Sequence, residues 1–176
     1  MRVASLDLED FRGYARARFE LSSGVTAFVG PNGAGKTNLL EAVHLVARGE
    51  STRANDDGEM IRWGAPLARV IVEAASGEET RRLEVTLFAP VADIRRRPRR
   101  YAADGAPRRA DDILGAFTVV AFFPQDTDLL ASAPSARRRY LDAMLAQDDR
   151  EHRCCVSGAT RKKWSRRASS RSGTPS

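Results

Sequence analysis

The sequence predicts an α/β fold in which an amino-terminal pair of strands and a buried third strand lead through a glycine-rich loop into an amphipathic helix. Three observations carry this. Arg2 to Glu9 alternate Ala4, Leu6 and Leu8 with Ser5, Asp7 and Glu9, the period of a half-buried strand. Val25-Thr26-Ala27-Phe28-Val29 is a continuous run, the pattern of a strand buried on both faces. Directly after it come the loop Gly30 to Thr37 and then Leu39, Leu40, Val43, Val46 and Ala47, a helical stripe that closes at Arg48-Gly49.

The elements follow in order. The first strand ends at Phe11-Arg12-Gly13-Tyr14, and a second alternating run, Ala15 to Leu21, reaches the turn cluster Ser22-Ser23-Gly24 before the buried strand begins. Past Gly49 the pattern predicts a polar loop with a short helix ending near Trp63-Gly64, then strands around Ala68 to Ala74 and Thr80 to Phe88. Asp104-Gly105 is a hairpin turn signal. Asp111 to Phe117 reads as a short helix and Thr118 to Phe123 as another buried strand. Pro134-Ser135 opens a helix with Tyr140, Leu141, Met144 and Leu145 on one face, ending near Gln147. From about Glu151 the chain turns Ser/Arg-rich without an apolar period, so residues 1–149 are expected to form the folded part and 150–176 a basic, disordered tail.

Composition limits the classes of function. With 176 residues, 42% apolar and 30% charged, the chain has the make-up of one globular domain, and no apolar stretch is long enough to cross a bilayer. The first residues carry acid and lack an apolar signal core, so a cytoplasmic location is expected. The net charge of +6 suggests nucleic acid, but eight of the 29 Lys/Arg lie in residues 150–176 beside a single acid, Glu151, and the rest of the chain is nearly neutral. DNA contact, if it occurs there, falls to the local clusters Arg95 to Arg100 and Arg137 to Arg139, which are equally readable as solvated faces. Cys154 and Cys155 are adjacent, a poor geometry for a mutual bridge and not the spacing of a zinc site. The two histidines, His44 and His152, form no catalytic constellation.

The chemistry concentrates in Gly30-Pro31-Asn32-Gly33-Ala34-Gly35-Lys36-Thr37, which fits G-x-x-x-x-G-K-[ST] at every fixed position. Its glycines let successive backbone N–H groups converge on phosphates, and the helix that follows aims its positive end at the same charge. Lys36 is expected to reach the β- and γ-phosphates and the Thr37 hydroxyl to ligate Mg²⁺, so ATP with Mg²⁺ is the expected ligand pair. Asn38 continues the loop into the helix.

The continuation Thr37-Asn38-Leu39-Leu40-Glu41-Ala42, with Phe11-Arg12 closing the first strand, resembles the ABC-type heads of RecF, RecN and SMC proteins. RecF is the best match, through Gly49-Glu50-Ser51-Thr52-Arg53, Met60-Ile61-Arg62-Trp63-Gly64, Gly105-Ala106-Pro107-Arg108, Phe123-Pro124-Gln125-Asp126 and Pro134 to Asp142, over about residues 1–149. The resemblance implies a P-loop NTPase of ABC-type head architecture, incomplete and lacking the carboxy-terminal lobe. It implies an ATP-dependent DNA-repair and replication protein of the DNA-damage response, acting at gaps and stalled forks with RecO and RecR and, at full length, as an ATP-dependent homodimer. By the same resemblance Arg12 approaches the nucleotide phosphates and Gln125 takes the place of a metal- and water-sensing glutamine, although RecF chains more often have Pro-Glu-Asp there.

Hydrolysis in such a head needs a Walker B carboxylate pair and a Ser-Gly-Gly-type signature, and neither motif occurs in these residues; Pro124 interrupts the one run, Thr118 to Asp126, that resembles the former. The pattern departs from the family after Arg150, which is read here as a frame shift or truncation near that codon, with a natural short paralogue as the other reading. Weak nucleotide binding and negligible hydrolysis are expected. Two other classes fit the loop alone, a small-molecule or nucleotide kinase and a nonfunctional fragment.

Overall fold

The computed structural model describes residues 1–90, 99–123, 127, 134, 135, 137, 138 and 140–142. The tail 150–176, Gln125, Asp126 and Arg95 to Arg97 lie outside the described residues. The chain divides between Ala121 and Phe122, and the folded core belongs to the first part.

Among the described residues six antiparallel strands form one sheet in the order β2-β1-β3-β4-β5-β6. They are β1 (Arg2–Phe11), β2 (Tyr14–Glu20), β3 (Leu67–Ser76), β4 (Glu79–Phe88), β5 (Arg100–Ala103) and β6 (Ala106–Arg108). Alternation decides the two faces, because a pleated strand sends successive side chains to opposite sides. Leu6 and Leu8 stand opposite Val72 and Val70, which in turn stand opposite Leu83 and Val85, so one face is a continuous buried apolar layer. Burying each such side chain contributes roughly 1.5–3 kcal/mol. The intervening residues build a charged ladder on the other face: Arg18 meets Asp7 at 3.2 Å, Arg69 meets Glu9 at 3.1 Å and Glu84 at 3.0 Å, and Arg82 meets Glu73 at 3.4 Å.

The apolar layer is covered by α1 (Lys36–Arg48), which turns Leu39, Ala42, Leu45, Val46 and Ala47 inward. Its carboxy-terminal end is set by Gly49, whose φ of 72° suits a residue without Cβ and whose N–H bonds the Leu45 carbonyl at 2.8 Å. The hairpin between β5 and β6 turns at Asp104-Gly105, both with positive φ, as the sequence predicts.

Four expectations are corrected. Residues 25–29 form no strand: Val25 and Val29 are almost fully exposed and no strand pairs with them among the described residues. Thr118 to Phe123 likewise lacks strand structure, and although Phe123 is buried, Val120 and Phe122 are exposed. A run of apolar residues supplies the propensity for a buried strand, but burial comes from paired neighbours, and none is present among the described residues. The short helix expected up to Trp63-Gly64 is a 3-10 turn, Asp57–Met60, held by the Asp56 side chain accepting from the Gly58 N–H at 2.7 Å; Ile61 already leaves it to bridge Phe11. The helix expected over Asp111 to Phe117 is a single turn, α2 (Ala110–Ile113), closed by Gly115 in the left-handed region. Further on, Pro134, Ser135, Arg137, Arg138 and Tyr140 to Asp142 are helical as expected, with Tyr140 and Leu141 partly exposed.

Candidate functional site

The glycine loop ends where α1 begins, and its geometry is that of an anion cradle. Gly35 is the residue before the helix, with φ 89° and ψ 6°, a conformation that side-chain-bearing residues rarely adopt. It is also a close approach: a Cβ there would lie 2.8 Å from the Tyr14 hydroxyl oxygen. Tyr14, the first residue of β2, donates to the Ala34 carbonyl at 3.4 Å, so the β1–β2 hairpin braces the loop from one side.

Within the loop the Ala34 N–H bonds the Pro31 carbonyl and the Asn38 N–H bonds the Gly35 carbonyl. Among the described residues the N–H groups of Gly33, Gly35, Lys36 and Thr37 have no protein acceptor. No acidic residue lies in the first turn of α1 and no side chain caps it. Such free donors at a positive helix end favour an oxyanion. The Lys36 ammonium bonds the carbonyls of Gly30 at 2.7 Å and Pro31 at 2.8 Å, folded over the mouth of the loop. Thr37 is exposed on the first turn. The loop residues therefore fit a phosphate chain. The single hydroxyl of Thr37 suits Mg²⁺ only as one ligand beside phosphate oxygens and water, since no group of three or more His, Cys, Asp or Glu side chains able to hold a metal exists among the described residues.

Beneath the loop lies a buried charge network. Glu41, wholly buried on α1, accepts from Arg12 Nε at 3.0 Å and Arg12 Nη2 at 2.6 Å, and also from the Ser51 hydroxyl. Arg12 Nη1 donates to the Glu59 carbonyl at 2.6 Å, and the Arg12 backbone, at φ 52°, gives its N–H to the Met60 carbonyl at 2.8 Å. Burial alone raises the Glu41 pKa; the hydrogen bonds from Arg12 and Ser51 and the charges of Arg12 and Arg53 outweigh it and hold the carboxyl below its ordinary value. Ser51 in turn accepts from the N–H groups of Arg53 and Ala54, and Arg53 reaches back to the Asn38 side chain at 3.1 Å. The structure thus brings Arg12 to α1 beside the loop, with its guanidinium held by Glu41.

A second pair lies at the far end of α1, where Arg99 grips Asp57 with Nε at 2.8 Å and Nη2 at 2.5 Å and also donates to the Gly49 carbonyl. Arg99, part of the basic run considered for DNA contact, is thus engaged inside the protein. Its neighbour Arg100 lies over the Phe88 ring, 5.1 Å from the centroid. His44 is buried and its Nδ1 meets the Glu50 carbonyl at 3.0 Å.

Sequence reasoning missed Glu41, Ser51, Tyr14 and the Arg99–Asp57 pair as parts of this region. Glu41 carried a readable signal: it is the only acid in a helix of otherwise neutral and basic residues, four residues before inward-facing Leu45. The others had none, because their partners lie far away in sequence.

A family model described as an AAA domain matches residues 5–104. Proteins named DNA replication and repair protein RecF are similar: that of Streptomyces avermitilis is 41% identical over 145 residues, covering 82% of this chain and 38% of its own length. That of Roseiflexus castenholzii is 38% identical over 168 residues, covering 85% and 41% respectively. Among solved structures, one described as the recombination mediator protein RecF-ATP in the RecFOR pathway superposes with a TM-score of 0.74 at 27% identity, over 84% of this chain and 40% of that one. The SMC head domain from Thermotoga maritima superposes with a TM-score of 0.54 at 27% identity, over 67% and 43%.

Proposed function

Because the chain belongs to the AAA-domain family and corresponds to the amino-terminal portion of RecF-type proteins, with the fold of RecF and SMC heads, we propose that it binds ATP through Gly30 to Thr37 as part of a DNA-repair protein. The observation that carries this reading is the set of N–H groups on Gly33, Gly35, Lys36 and Thr37 at the start of α1 that have no acceptor among the described residues, with Tyr14 braced against Gly35. In this reading the backbone of Gly30, Pro31, Asn32, Gly33, Ala34 and Gly35 wraps the phosphates. Lys36 exchanges its two carbonyl partners for phosphate oxygens, Thr37 contributes a hydroxyl to Mg²⁺, and Asn38 stays tied to Arg53. Mg²⁺ would neutralise phosphate charge.

The chain spans 38% to 41% of the length of the relatives just compared, so DNA binding, work with RecO and RecR, ATP-dependent dimerisation, a cytoplasmic location and the SOS role are proposed for the RecF-type protein it matches. No helix among the described residues is long and apolar enough to cross a membrane. Hydrolysis is assigned no residue here, for lack of an acidic strand and signature motif in the sequence. The roles of Arg12 near the phosphates and Gln125 near the metal belong to this proposal, as does the division into a head, 1–149, and a basic tail, 150–176.

Titration of the purified chain with ATP and Mg²⁺ by calorimetry tests the reading. Lys36→Ala removes a charge-assisted contact of about 1.5–3 kcal/mol and is expected to weaken binding roughly ten- to hundredfold. Equal binding by both proteins would sink the formed site.

A further inference from the structure

We propose that Glu41 is a positioning residue for the bound nucleotide: its carboxylate grips one edge of Arg12 and so fixes where that guanidinium presents its remaining donors beside the phosphate loop. This rests on nucleotide binding at Gly30 to Thr37.

Glu41 is fully buried on α1, the helix that also buries Leu39, Ala42, Leu45 and Val46. A carboxylate there is costly unless paired, and a well-packed apolar side chain would serve stability equally well or better. Its two oxygens are instead devoted to Arg12 and Ser51. Arg12 is held just as firmly from its own side, in a left-handed backbone conformation uncommon for a side-chain-bearing residue and pinned by the Met60 carbonyl. Strain and burial coincide at the same two residues.

The geometry also says where the arginine stands. Glu41 lies four residues after Thr37, so the two are neighbours on one face of α1, a single turn apart. Tyr14, two residues beyond Arg12, touches Ala34 and Gly35. Of the five N–H groups of a guanidinium, Nε–H, one on Nη1 and one on Nη2 are engaged by Glu41 and Glu59, which leaves one on each Nη without a partner among the described residues. The Arg12 side chain is 19% exposed while Glu41 is fully buried, so an accessible cation is mounted on an inaccessible anchor. A fork held by one edge is pre-organised, and a ligand that meets the other edge need not order it.

The test is ATP affinity, measured by calorimetry in the full chain with Mg²⁺, with thermal melting as a check on folding. Arg12→Ala and Glu41→Gln are each expected to weaken binding about tenfold, and the double variant no more than either single one, because both break one unit. Arg12→Lys, which keeps the charge without the fork, should fall between wild type and Arg12→Ala. If Glu41 served the fold alone, Glu41→Gln would weaken binding by the same factor with or without Arg12, and that result overturns the proposal. So does a folded Glu41→Gln that binds ATP as wild type does. Should Glu41→Gln fail to fold, Ser51→Ala withdraws one donor from the same carboxylate and leaves the ion pair; about threefold weaker binding supports the proposal, and unchanged binding overturns it. Binding that is lost in Lys36→Ala but intact in the Arg12 and Glu41 variants removes this inference and keeps the nucleotide site. A wild-type chain that binds no ATP removes both.

Discussion

Val70-Ile71-Val72 and Val25-Thr26-Ala27-Phe28-Val29 are both β-prone apolar stretches, yet Val70 and Val72 are completely buried while Val25 and Val29 are 96% and 94% exposed. The difference lies in the neighbours. β3 has β1 on one side and β4 on the other, in long antiparallel registers, and α1 packs on the buried face. Residues 25–29 pair with no strand among the described residues, and only Phe28 finds company, edge-on to Phe19 with ring centroids 5.7 Å apart. Apolar character creates a demand for burial; long-range pairing meets it. The phosphate loop hangs between these two situations, its front end following the unpaired run and its back end built into a helix that belongs to the core.

The sharpest way to break this contrast is to cut into the paired region. Leu8→Ala removes a fully buried side chain from the layer beneath α1 and is expected to destabilise by about 2–5 kcal/mol in denaturant unfolding. A loss under 1 kcal/mol would mean that this layer is not the core.

Acid provides a subtler probe of the same region. The folded pKa of Glu41 is lowered, so its contribution is present above the ordinary carboxyl value of 4.5 and is lost as pH falls through the lowered folded value. Unfolding curves collected from pH 7 down to pH 3 should therefore show stability declining with acid, and declining less steeply in Glu41→Gln. Parallel slopes in the two proteins would remove the ion pair from the account.

The smallest expected effect lies in the unpaired run. Val29→Asp should change stability by less than about 0.5 kcal/mol, because the side chain already meets water. A loss comparable with that of Leu8→Ala would show that residues 25–29 are buried in solution after all, and would erase the contrast.

The residues that could be read in advance share one property: their partners are close in sequence. Alternation in Arg2 to Glu9 and around Thr80 to Phe88 announces strands, the stripe from Leu39 to Ala47 announces α1, and Asp104-Gly105 announces its hairpin. The glycine-rich turn at Gly35 that opens α1 was legible in the same way, since a consecutive string of residues makes it. The Arg12–Glu41 and Arg99–Asp57 pairs were not, because the partners stand 29 and 42 residues apart and meet only once the sheet has formed.

By itself, then, the sequence determined the period of β1, β4 and α1, the hairpin turn at Asp104-Gly105 and the glycine-rich turn into α1, all consequences of local backbone geometry. Which of its apolar runs are buried, and which carboxylate holds Arg12, were decided only by tertiary structure. Burial and ion pairing are properties of neighbours brought together from distant parts of the chain.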